Sequence, residues 1–90
     1  MRYVLFYDSS PEGLAGAAQH GPAHRAWWQG FLDDGTLTLI GPFLPPTLGA
    51  MAVFTTREAA EAFAAGDPFV RHGVVATWRV QEWAEAVSGD

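Results

Sequence analysis

Residues 2–8 read Arg-Tyr-Val-Leu-Phe-Tyr-Asp, and this run limits the folds open to the chain more than any other part of it. Aromatic and β-branched residues without helix formers make a strand. Side chains alternate between the two faces of a strand, so Tyr3, Leu5 and Tyr7 share one face while Val4 and Phe6 share the other. Both faces are apolar, which places the strand in mid-sheet with both sides covered. Residues 48–54, with Met51 and Val53 opposite Ala52 and Phe54, form a second strand of this kind. Two further strands are mixed. Residues 36–40 alternate threonine with leucine, and residues 74–83 set Val74, Ala76, Trp78 and Val80 against Thr77, Arg79 and Gln81.

Helical spacing separates these strands. Pro22 suits the first position of a helix, where its missing N–H is not needed. From there His24, Trp27, Trp28 and Phe31 fall at i, i+3, i+4 and i+7 on one face. The spacing predicts a helix over 22–33, ended by Asp34-Gly35, and a loop over 9–21 with one helical turn near 14–18. Adjacent Asp33 and Asp34 diverge on a helix and read as a solvated turn. Residues 41–46, rich in Gly and Pro, bend the chain away. Thr55 and Glu58 have capping-box spacing and open a second helix, with Ala60, Phe63 and Ala64 inward, that runs to Gly66. Asp67-Pro68-Phe69 then begins a turn.

The order is βαββαβ within 90 residues, one domain over 1–90 of the α+β class. The expected architecture is a ferredoxin-like sandwich with a four-stranded antiparallel sheet. In that topology strands one and three are central and two and four are edges, matching the apolar pattern. Two helices cover one sheet face only. The sequence is 49% apolar and 17% charged, so the other face is expected to pack against a second copy as a homodimer.

Charge and composition remove several functions. Five arginines, no lysine and ten acidic residues give a net charge of −5, with no basic cluster. Nucleic acid and anionic membranes are not expected partners. Absence of cysteine excludes disulfides, thiolate zinc sites and cysteine nucleophiles. The apolar run at residues 1–8 is too short for a signal peptide or a spanning helix, so a cytoplasmic location is expected. His20 and His24 are four apart, with His72 and Asp67 as further candidate ligands, but Gly21-Pro22 interrupts a helix between the first two, and no metal is expected. Ser9 and Ser10 lack a nucleophile elbow, and no phosphate-binding glycine loop is present. No cofactor is expected.

The motifs Pro-Ala-His at 22–24, Gly-Thr-Leu-Thr-Leu-Ile-Gly-Pro at 35–42, Asp-Pro-Phe with Gly73 at 67–73 and a closing tryptophan resemble the YciI-like (YCII-related) proteins over nearly the whole chain. The resemblance implies a dimeric α+β barrel and a cleft that brings a histidine of the first helix, here His24, beside the aspartate of the Asp-Pro-Phe motif, here Asp67. One relative is associated with elimination of chloride from a chlorinated aromatic breakdown product. Members often carry an arginine three residues before the histidine. Gly21 stands there in this chain, which puts a carboxylate substrate in question, with Arg25 and Arg71 as alternative cations.

The residues themselves support the same chemistry. A histidine near a helix N-terminus is favoured in its neutral, basic form, and a neighbouring carboxylate orients the ring and stabilises the imidazolium. Asp67 before Pro68 is also a good N-cap. Trp28, Pro42, Phe43 and Phe69 are candidate walls for a small flat ligand, and residues 9–21 a candidate lid. The expectation is a homodimeric, cofactor-free isomerase or lyase with His24 as base and Asp67 as its orienting partner. Alternatives are a non-catalytic module that binds a metabolite or protein, and a cofactorless monooxygenase-like barrel.

Overall fold

The chain forms β1 (Arg2–Ser9), α1 (Pro11–Leu14), α2 (Ala17–Asp33), β2 (Leu37–Pro42), a 3-10 turn (Pro46–Leu48), β3 (Ala50–Phe54), α3 (Arg57–Gly66), α4 (Pro68–Arg71) and β4 (Val75–Trp83) in a computed structural model that describes residues 1–89. The strands make one antiparallel sheet in the order β2-β3-β1-β4. This is the ferredoxin-like α+β arrangement, with the two strands that are apolar on both sides at its centre.

Pairing of Leu5 with Ala52 and of Tyr3 with Phe54 puts these residues on the helix-covered face. There they meet Ala60, Phe63 and Ala64 of α3, with Trp27, Trp28 and Phe31 of α2 packed around them. Phe63 is the hub of this core. It is fully buried, and its ring centroid lies 5.3 Å from that of Phe54 and 5.2 Å from that of Phe31, both in tilted or edge-on geometries that aromatic pairs favour.

Three local expectations are corrected. The stretch 9–21 is not a loop: Ser10 caps α1 by accepting from the Gly13 N–H at 2.9 Å, and α2 starts at Ala17, five residues before Pro22. A proline inside a helix loses one hydrogen bond and disfavours helical geometry in the residue before it, in part through that residue's Cβ. Gly21 has no Cβ, so the helix runs through. The cap of α3 is Thr56, whose hydroxyl accepts from the Ala59 N–H at 3.1 Å, one residue beyond the expected Thr55–Glu58 box. In β2 the register shifts between Leu37 and Leu39. Leu37 and Ile40 therefore pair with Phe54 and Ala52 on the core face while Leu39 is 68% exposed.

The second sheet face carries Val4, Phe6, Met51 and Val53. It is not uniformly wet. Val4 and Val53 are buried, and the chain after β4 turns back so that Glu85 pairs with the Met1 amino group and with Arg2. The Arg79 guanidinium sits 4.3 Å from the Phe6 ring centroid. Among the described residues, no helix is long and apolar enough to cross a membrane.

The contact between α2 and the end of α3 has little slack. The Trp27 indole N–H donates to the Phe63 carbonyl at 3.0 Å, and a Cβ on Gly66 would enter the Trp27 ring. Gly66→Ala is expected to cost about 1–3 kcal/mol through overpacking, read as a lower urea midpoint at unchanged m-value. An unchanged midpoint would mean that Trp27 moves aside freely.

Candidate active site

Asp67 is the only buried charged or polar residue among the described residues, with no exposed surface. It joins two helices. Its backbone N–H closes α3 on the Phe63 carbonyl at 2.9 Å, and its side chain caps α4 by accepting from the Phe69 N–H at 3.0 Å. Pro68 takes the first position of α4, where it is favoured. The expected cap is therefore present, and it holds the carboxylate in one orientation. On the same oxygen, Oδ1, the carboxylate meets His24 Nδ1 at 2.7 Å. On Oδ2 it accepts from the Tyr7 hydroxyl at 2.7 Å.

Tyr7 was not evident from the sequence, where it reads as one of several sheet-face aromatics. A buried tyrosine hydroxyl needs a partner, and that requirement is the signal that points to it. Burial, the charge of Asp67 and the hydrogen bond to it push the Tyr7 phenol well above its ordinary value of 10.0. It therefore acts as a fixed donor to the carboxylate.

His24 lies on α2 with its side chain 15% exposed. Its ring stacks on Phe69 at 3.9 Å between centroids with planes 7° apart, and meets the edge of Phe63 at 6.4 Å. With Nδ1 turned to the carboxylate, the neutral ring carries its proton there and leaves the Nε2 lone pair free. No buried side-chain nitrogen or oxygen lacks a partner among the described residues, so Nε2, which has none, is accessible.

Beside it is a cavity of about 360 Å³, within the range of small-ligand sites. Ala17, Gly21, His24, Arg25 and Trp28 supply one wall, spaced as a single face of α2. Ile40 and Pro42 of β2, with Phe69, close it further. Of the expected ligand walls, Trp28, Pro42 and Phe69 line this space, while Phe43 does not. Phe43 follows the end of β2 and is held by its N–H to the Gly49 carbonyl at 2.9 Å. Of the two alternative cations, Arg25 lines the cavity and Arg71 does not. His20 stacks on His72 at 4.1 Å, and among the described residues no three His, Cys, Asp or Glu side chains converge on a metal-sized space.

Removing Asp67 leaves a buried hydroxyl without an acceptor. Asp67→Ala is expected to lose about 2–4 kcal/mol through the orphaned hydroxyl and the lost cap of α4, and Tyr7→Phe about 1.5–3 kcal/mol, measured by urea unfolding. The Tyr7 phenol is neutral in the fold but ionises at its ordinary value once unfolded, so its contribution is whole below pH 10.0 and falls as pH rises beyond it. Tyr7→Phe should lack this part of the alkaline loss. Equal alkaline slopes in the two proteins would contradict the Tyr7–Asp67 bond.

Comparison with known proteins agrees with the fold. No curated protein matches the chain. A solved structure of 5-chloro-2-hydroxyhydroquinone dehydrochlorinase from Burkholderia phenoliruptrix AC1100, in complex with 2,5-dihydroxybenzoquinone, superposes with a TM-score of 0.77. It covers 96% of this chain and 96% of that chain at 18% sequence identity. The YCII-related domain matches residues 1–84, and the chain belongs to that family.

Proposed function

We propose that the protein is a cofactor-independent acid–base enzyme acting on a small cyclic or unsaturated compound, by isomerisation or elimination. The observation that carries this reading is the His24–Asp67 pair at 2.7 Å with Nε2 free beside a ring-sized cavity. Nε2 takes a proton from a carbon or hydroxyl of the ligand, and the bond electrons move into the ligand. They then expel an anion such as halide, or shift a double bond so that the imidazolium returns the proton elsewhere. Asp67 stabilises the imidazolium without taking its proton. Tyr7 and the Phe69 N–H keep the carboxylate in place, and Phe69 offers a π-face to the cationic ring. The structural neighbour, named for dehydrochlorination and solved with a dihydroxybenzoquinone, supports halogenated or oxygenated ring compounds as the first substrates to screen.

His24→Ala is expected to lower turnover by roughly 10²–10⁴-fold, the usual contribution of a general base. In the wild type, ¹⁵N NMR should find the neutral His24 ring protonated on Nδ1, and Asp67→Asn should lower that tautomer's share. Normal turnover in His24→Ala would refute the role of His24 as base, whereas ligands held but never converted would favour a binding module instead.

A homodimer through the second sheet face is part of this proposal. Leu39 at 68% exposure and Trp83 at 51% lie beside Val53, on the face that no helix covers. Light scattering at micromolar concentration should give twice the chain mass, falling to one chain in Leu39→Glu. A monomeric wild type would refute the pairing.

A further inference from the structure

We propose that the cavity takes an anionic ring compound whose charged oxygen pairs with Arg25. The proposal rests on the acid–base reading of the same site and narrows its substrate class. Apart from His24, Arg25 is the only charged side chain among the described residues that line the cavity. The Tyr7 hydroxyl, its other oxygen donor, is already committed to Asp67. Among the described residues Arg25 has no hydrogen-bond or ion-pair partner, so its guanidinium is available to a ligand.

Its position depends on a missing side chain. Arg25 stands one turn after Gly21, and its Nη1 lies 3.1 Å from where a Cβ on residue 21 would sit. The guanidinium folds back along α2 over the bare backbone of this buried glycine and into the cavity wall. Walls built from Leu5, Trp28, Ile40, Pro42 and Phe69 offer an apolar seat for a ring, and the solvent-exposed Arg25 supplies the cation for its charged oxygen. A planar guanidinium matches a carboxylate or an ionised ring oxygen. Proton removal by His24 leaves negative charge on the ligand, and a cation one residue along the same helix is suited to stabilise it.

Benzoate and benzamide, matched in shape but not in charge, test this by calorimetric titration. 4-Nitrophenolate against 4-nitroanisole tests a phenolate-type oxygen in the same way. In at least one pair the anion should bind tenfold or more tightly. Arg25→Gln should erase the preference and Arg25→Lys restore part of it. The preference should persist in His24→Asn, which removes the base. Equal binding of anion and neutral partner in both pairs, no binding of either anion, or a preference that survives Arg25→Gln would overturn the proposal. None of these outcomes alters the turnover test of His24, so the two readings fail separately.

Discussion

A carboxylate with no exposed surface survives in a fold only where donors converge on it, because an isolated buried anion is strongly disfavoured. At Asp67 they come from three places: the Tyr7 hydroxyl on the central strand β1, the His24 ring on α2 and the Phe69 N–H at the start of α4. Each donor belongs to a different element, so satisfying one carboxylate fixes the distance of two helices from the sheet. The same contacts decide which imidazole nitrogen is left without a partner. The interaction that joins the layers and the one that prepares the proposed base are thus a single set of hydrogen bonds.

The cavity beside this cluster depends on two backbone adjustments. Gly21 lets α2 pass through Pro22 and also leaves the space into which Arg25 folds. The register shift in β2 turns Ile40 inward and Leu39 outward, which closes the cavity with an apolar side chain while leaving a leucine on the uncovered face. Phe69 connects the two regions, since its N–H holds Asp67 while its ring supports His24.

Much of this was legible in the residues. Strand order followed from Tyr3–Tyr7 and Met51–Phe54 being apolar on both sides, since only central strands in a covered sheet have that pattern. His24 and Asp67 could be paired through the motifs that resemble a family, and Trp28 through helical spacing from His24. Other features were hidden because they turn on local backbone choices of small free energy. A proline permits either a helix start or a helix interior, and the neighbouring glycine decides between them here. A one-residue bulge reverses which side chains face inward, and no alternation of threonine and leucine announces it.

The sequence by itself determined the α+β class, the central and edge strands, the short apolar core around Phe63 and the absence of thiol chemistry, because periodicity and residue type act locally along the chain. Only the tertiary structure decided that Tyr7 donates to Asp67 across 60 residues, that Arg25 rather than Arg71 reaches the cavity, and that Phe43 stays out of it. These outcomes depend on how separate elements pack. The satisfaction of a buried charge is a property of the assembled layers, and no spacing within one segment encodes it.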